Sequence, residues 1–115
     1  MYFDVFIGNL YPFTSVISKE GVTSETARVN IDIGGPTMTM ASAKNWHSIA
    51  ALTSPSQYPE FIRFLRENNG EISLESRFNL AKEAMRAIGE YRKAIGGYFS
   101  GLDFQKDVKP FLETT

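Results

Sequence analysis

Residues 2–10 of this chain form a near-continuous run of aromatic and β-branched side chains instead of an alternation of apolar and polar positions. A continuous run of this kind is typical of a strand that is buried on both faces, as in a parallel sheet. Pro12 follows shortly, and proline cannot donate a hydrogen bond to a sheet. The sequence therefore predicts a buried strand over 2–10. A second apolar run, residues 48–53, predicts a second strand.

Helix signals lie between the two predicted strands. Thr23 or Ser24 is suited to cap a short helix that runs to about Asn30. Further on, two glycines precede Pro36, and proline is favoured as the first residue of a helix. The Met- and Ala-rich stretch 37–45 that follows is predicted to be a buried helix.

Two further helices are predicted after the second strand. Residues 54–57 (Ser-Pro-Ser-Gln) have the capping-box pattern, and Asn-Asn-Gly at 68–70 closes the helix that they open. From Ser73 onward, apolar residues recur every three or four positions, which predicts a long amphipathic helix with one continuous stripe. The stripe comprises Leu74, Phe78, Ala81, Met85, Ile88, Tyr91, Ile95 and Tyr98.

Strands that alternate with helices predict parallel pairing through right-handed crossovers, and hence an α/β fold. Only two strands are visible, and a buried parallel sheet needs more strands and helical cover on both faces. We therefore predict part of a parallel-sheet α/β/α layer with a long C-terminal helix. The edge of the first predicted strand beside residues 5–10 is expected to need a neighbour.

Composition excludes several classes of function. The chain has 115 residues, enough for one ordinary domain, and its twelve Lys and Arg are spread among thirteen acidic residues, without the basic stripe of a nucleic-acid-binding protein. There is no cysteine and only one histidine, so neither a disulfide nor a metal cluster is expected. No apolar run reaches the roughly 18 residues that span a bilayer, and the first ten residues lack a basic leader. We expect no membrane partner and a cytoplasmic location.

Three polar residues stand in distinctive short segments. Tyr11 lies in Asn-Leu-Tyr-Pro-Phe, Asp32 in Asn-Ile-Asp-Ile-Gly-Gly-Pro, and Lys44 in Ala-Lys-Asn. Taken singly, each has an ordinary structural explanation: a packed aromatic, a turn residue and a solvated charge near a helix end. Their functional interpretation depends on all three occurring together, in this order and at this spacing.

In that order and spacing, the segments resemble the cyclohydrolase domain of the bifunctional purine-biosynthesis family that joins AICAR formyltransferase to inosine monophosphate (IMP) cyclohydrolase. The resemblance covers roughly residues 4–99. It implies a methylglyoxal-synthase-like, Rossmann-like fold. Residues 1–99 would be the C-terminal half of that domain, and 100–115 a tail.

The resemblance also implies a set of site residues and a reaction. The reaction closes the pyrimidine ring of a formylated aminoimidazole carboxamide ribonucleotide and expels water, giving IMP. The implied catalytic residues are Tyr11, Asp32 and Lys44, and the implied substrate contacts are Gly8, Asn9, Ile33 and Gly34. No metal or other cofactor is expected, because the cyclisation needs none and folate belongs to the formyltransferase part.

Family members also carry upstream segments that this sequence lacks. These are a Ser-Asp-Lys segment, a Ser-Thr-Gly-Gly-Thr phosphate loop and an Arg-Val-Lys-Thr-Leu-His-Pro stretch with a further lysine. We therefore expect the chain to be inactive alone. The alternatives are a split enzyme completed by a first-half polypeptide, a non-catalytic nucleotide-binding remnant, and a scaffold that self-associates through its sheet edge. The expected partners are thus a purine nucleotide precursor, together with either a complementary first-half polypeptide or a second copy of the chain.

Overall fold

A parallel pairing of the two predicted strands is confirmed in the computed structural model, which describes residues 4–112. β1 is Val5–Ile7 and β2 is Ala50–Leu52, with Val5 opposite Ala50 and Ile7 opposite Leu52. Both strands are shorter than the predicted 2–10 and 48–53, and residues 2 and 3 lie outside the described part. The α/β class is confirmed, with two strands in the described sheet.

Helices make up most of the remaining described chain. They are α1 (Phe13–Ile17), α2 (Ser24–Val29), α3 (Gly34–Lys44), α4 (Tyr58–Glu67), α5 (Leu74–Ser100) and α6 (Lys109–Leu112), with a 3₁₀-helical turn at Pro55–Gln57 and a π-helical turn at Phe104–Val108. The long helix predicted from the apolar stripe is thus confirmed as α5. None of the helices between residues 4 and 112 is long and apolar enough to cross a membrane.

The chain divides into two compact units. Unit 1 comprises residues 4–10 and 33–89 of the described chain, and unit 2 comprises residues 11–32 and 90–112. α5 contributes its first part to unit 1 and its last part to unit 2. The predicted boundary between residues 99 and 100 stays a prediction.

The core of unit 1 is built from alanines on three different elements. Small side chains let the backbones of a strand and two helices approach closely, and larger side chains then fill the rim. The buried set is Ala43 of α3, Ala51 of β2, and Ala81 and Ala84 of α5, surrounded by Phe6, Trp46 and Met85. The first strand, the Met- and Ala-rich helix and the long helix are therefore joined in one core.

The prediction that the first strand is buried on both faces is wrong for β1. Phe6 packs against the alanine core, but Val5 and Ile7 are 39% and 59% exposed. Successive side chains of a strand point to opposite faces, so the face that carries Val5 and Ile7 is open within the described chain. β2 differs, because Ala50, Ala51 and Leu52 are all buried.

One edge of β1 is also open. The Ala50 N–H donates to the Asp4 carbonyl, and the Gly8 N–H donates to the Leu52 carbonyl, both at 3.0 Å. Backbone groups of alternate residues point to opposite edges of a strand, so those of Val5 and Ile7 point away from β2. Within residues 4–112, β1 has β2 as its one sheet neighbour, as expected for part of a larger sheet.

Unit 2 has an aromatic core. Phe13 of α1 is 2% exposed, and its ring meets Tyr91 and Tyr98 of α5 edge-on, with centroids 6.4 and 5.9 Å apart. The Ser24 hydroxyl, on α2, donates to the Asp107 carbonyl at 2.6 Å. The π-helical turn, for which the sequence shows no pattern, is therefore attached to α2.

The predicted helix ends are mostly confirmed. Thr23 caps α2 by accepting the Thr26 N–H at 3.1 Å, and the Ser54–Gln57 capping box is formed. Gly70 closes α4 with φ 83°, a left-handed conformation that favours glycine, and its N–H donates to the Leu65 carbonyl.

The start of α3 differs from the prediction. The helix begins at Gly34, with Ile33 as its N-cap, so the prediction of Pro36 as the first helical residue is wrong. Proline is tolerated here because the N–H groups of the first helical turn lack intrahelical acceptors in any case. The helix therefore extends two residues further toward Asp32 than proline placement suggests.

Candidate functional site

Gly8 and Asn9 lie at the carboxyl end of β1. In parallel α/β sheets, ligands bind beyond the carboxyl ends of the strands. A Cβ atom added at Gly8 would lie 2.6 Å from the tip of the Phe6 ring, far inside contact distance. Glycine at this position therefore lets the Phe6 ring lie over the backbone where the strand ends.

The side chain of Asn9 is held by a residue that the sequence did not single out. Its Nδ2 donates to the Tyr58 hydroxyl at 3.2 Å, and Tyr58 is the first residue of α4. The two residues are 49 positions apart. No local signal in the sequence indicates the partner of the Tyr58 hydroxyl.

Ile33 and Gly34 form the N-terminus of α3. Ile33 makes no side-chain capping hydrogen bond and is 73% exposed. Gly34 is exposed, and a Cβ atom added there would meet nothing within 4 Å. A helix N-terminus carries partial positive charge, so this accessible position is favourable for an anionic or carbonyl group of a ligand.

Lys44 lies at the other end of α3, as its last residue. Ten residues of α-helix separate it from Gly34, about 15 Å at 1.5 Å per residue. The turn after Lys44 leads into β2 at Ala50, which pairs with the beginning of β1. Within unit 1, Lys44 therefore lies about a helix length from Gly34, and it precedes the beginning of the sheet, whereas Gly8 and Asn9 follow the end of β1.

Tyr11 and Asp32 belong to unit 2. Tyr11 is 63% exposed and precedes α1 by two residues, and Asp32 is exposed in the segment after α2. The Asp32 backbone N–H donates to the Tyr91 hydroxyl at 2.8 Å. Sequence reasoning assigned Tyr91 only to the apolar stripe of α5, because its ring has the periodicity of a core residue.

A cavity lies elsewhere in unit 1. It has a volume of about 480 Å³ and is lined by α4 and α5 residues that include Phe61, Phe64, Leu80, Glu83 and Arg86. None of the predicted site residues lines it. Among residues 4–112, no three His, Cys, Asp or Glu side chains are grouped so that they could hold a metal ion.

Comparison with known proteins identifies one family. The family model described as "AICARFT/IMPCHase bienzyme" matches residues 42–114. The bifunctional purine biosynthesis protein PurH of Microcystis aeruginosa is 44% identical over 101 residues, covering 88% of this chain and 20% of that protein. The PurH protein of a Nostoc species is 46% identical over 98 residues, covering 85% and 19%.

A solved structure is also similar to this chain. The crystal structure of ForH superposes with a TM-score of 0.65 at 26% identity, covering 84% of this chain and 50% of that chain. The chain spans about a fifth of the length of the curated relatives that it matches.

Proposed function

Because the chain belongs to the AICARFT/IMPCHase bienzyme family, we propose that it supplies one part of an IMP cyclohydrolase site in purine biosynthesis, in the cytoplasm. The proposed reaction is ring closure of a formylated aminoimidazole carboxamide ribonucleotide to IMP. The match to relatives named as bifunctional purine biosynthesis proteins carries this proposal. The chain is proposed to act as an enzyme only together with a polypeptide that carries the family's upstream segments, and we call that complex the assembled enzyme.

The chemistry explains the residue types at the site. The carboxamide nitrogen attacks the formyl carbon and loses one proton, and the formyl oxygen takes up a proton to become a hydroxyl. The formamide nitrogen then loses its proton as its C=N bond forms, while the hydroxyl takes up a second proton and leaves as water. In the proposed mechanism, Asp32 holds or deprotonates the amide, Tyr11 donates a hydrogen bond to the developing oxyanion, and Lys44 supplies a proton to that oxygen.

The placement of the proposed substrate contacts supports this function. Gly8 and Asn9 end a parallel strand, and Ile33 and Gly34 begin a helix that packs against β2. Strand carboxyl ends and helix N-termini are the places where α/β folds bind nucleotides.

The open edge of β1 supports the proposed partner. The backbone groups of Val5 and Ile7 point away from β2, and both side chains are exposed on the uncovered face. An unpaired, apolar edge strand is a template for another strand. We therefore propose that a strand of the first-half polypeptide pairs there.

A complementation assay tests the proposed function. Ring closure of the formylated substrate is followed by absorbance, first with this chain alone and then with a polypeptide that carries the upstream family segments. We expect turnover only in the mixture. Nucleotide binding without turnover would instead favour a binding remnant, and a homo-oligomer that binds no nucleotide would favour a scaffold.

Replacing Lys44 by methionine tests its proposed proton transfer. In the assembled enzyme we expect Lys44→Met to lower kcat by about 10²-fold or more, the usual contribution of a general acid. The fold should be little affected, because the side chain is exposed and its favourable interaction with the helix end is about 0.3–1 kcal/mol. Turnover and unfolding midpoint are measured together.

A matched control is Lys93→Met, which removes an exposed charge from α5 and should leave turnover unchanged. Lys44 lies a helix length from Gly34, one of the proposed substrate contacts. This experiment therefore tests whether Lys44 takes part in the reaction. Unchanged turnover in Lys44→Met would remove Lys44 from the mechanism.

A further inference from the structure

Asp32, the proposed catalytic carboxylate, lies in a segment without helix or strand. Residues 31 and 32 connect the end of α2 to the start of α3. The position of a side chain in such a segment depends on how the backbone is fixed. The Asp32 backbone N–H donates to the Tyr91 hydroxyl at 2.8 Å, across 59 positions of sequence.

The Tyr91 hydroxyl is itself held by rigid packing. Tyr91 is 6% exposed and lies on α5, the longest helix of the described chain. Its ring meets the ring of Phe13 at 79°, edge to face, and Phe13 is 2% exposed. A hydroxyl on a buried ring of a long helix is a fixed acceptor, in contrast to one on an exposed side chain.

The contact between Tyr91 and Phe13 also bears on Tyr11, the second catalytic candidate. Phe13 begins α1, two residues after Tyr11, and Pro12 between them is extended with φ −61° and ψ 122°. Phe13 therefore anchors the segment that carries Tyr11, while the hydroxyl of Tyr91 anchors the segment that carries Asp32. Both anchors lie in unit 2 and meet in one aromatic contact.

We propose that Tyr91 is a positioning residue of the cyclohydrolase site, which holds the backbone at Asp32 through its hydroxyl and the Tyr11 segment through its ring. This inference rests on the proposed function. Tyr91 touches no reacting atom in this scheme, and its hydroxyl acts only by placing the Asp32 carboxylate. Displacement of a catalytic group by about 1 Å lowers turnover by up to about 10²-fold.

The test compares two tyrosine-to-phenylalanine variants in the assembled enzyme. Tyr91→Phe removes the hydroxyl and keeps the ring. Tyr98→Phe is the matched control, because Tyr98 lies on the same helix and its ring also meets Phe13 edge-on. We expect Tyr91→Phe to lower kcat about 10- to 100-fold with KM within about 3-fold, and Tyr98→Phe to change neither.

A double-mutant cycle with Asp32→Asn separates positioning from a general structural role. If Tyr91 acts through Asp32, Tyr91→Phe should have little further effect on kcat once Asp32 is replaced. An equal fold-loss from Tyr91→Phe in both backgrounds would overturn the proposal, as would a kcat for Tyr91→Phe equal to that of Tyr98→Phe.

Amide hydrogen exchange gives a readout that does not depend on turnover. In the full chain, the Asp32 amide should exchange faster in Tyr91→Phe than in the wild type or in Tyr98→Phe, because its acceptor is gone. Unchanged exchange would refute the anchoring. If the wild-type assembled enzyme shows no ring closure while the exchange result holds, the proposed function fails and the structural anchor stands.

Discussion

Asp32→Asn is expected to lower kcat of the assembled enzyme by about 10²- to 10⁴-fold, the range for loss of a general base. The amide that replaces the carboxylate is nearly the same size, but it cannot accept a proton at neutral pH. The substitution keeps the Asp32 backbone N–H, which donates to the Tyr91 hydroxyl. The loss should therefore appear in kcat, while the unfolding midpoint stays close to that of the wild type.

Asp4→Asn is a suitable control for this variant. Asp4 is exposed before β1, and its link to β2 is through the backbone carbonyl, which the substitution retains. The assembled enzyme that carries Asp4→Asn should cyclise the substrate at the wild-type rate. If Asp32→Asn did the same, Asp32 would have no proton-transfer role, and the proposed mechanism would need another base.

Phe13→Ala is expected to lower the free energy of unfolding by about 3–5 kcal/mol, as for large-to-small changes of buried aromatics. Phe13 is 2% exposed and makes edge-to-face contacts with both Tyr91 and Tyr98. Alanine would leave a cavity in the core of unit 2 and remove both ring contacts. Denaturant unfolding, followed by circular dichroism, measures the change.

Phe104→Ala provides the comparison, because Phe104 is also in unit 2 but is 56% exposed. Its truncation should change the free energy of unfolding by no more than about 0.5 kcal/mol, as is usual at surface positions. Similar unfolding midpoints for the two variants would show that the Phe13 contacts do not hold unit 2 together.

Features that depend on near neighbours in the chain could be predicted from the sequence. The apolar stripe predicted α5, and the short capping segments predicted the start of α2 and the Ser54–Gln57 box. The order and spacing of the three short segments also predicted the family, which the comparisons confirm. The prediction that β1 is buried on both faces was wrong, because an apolar run shows what a strand can bury and not which neighbours cover it.

For the candidate site too, the sequence predicted some features and only the tertiary structure showed others. The sequence predicted Tyr11, Asp32 and Lys44 as catalytic residues, and those roles stay predictions. Only the tertiary structure shows which residues hydrogen-bond to Asn9 and Asp32, because these partners, Tyr58 and Tyr91, lie 49 and 59 positions away in the sequence. Helix periodicity and capping arise from contacts within about four residues, so the sequence itself determines them. A tyrosine hydroxyl finds its partner only after distant segments have packed, and the periodicity that places its ring in a core carries no information about that partner.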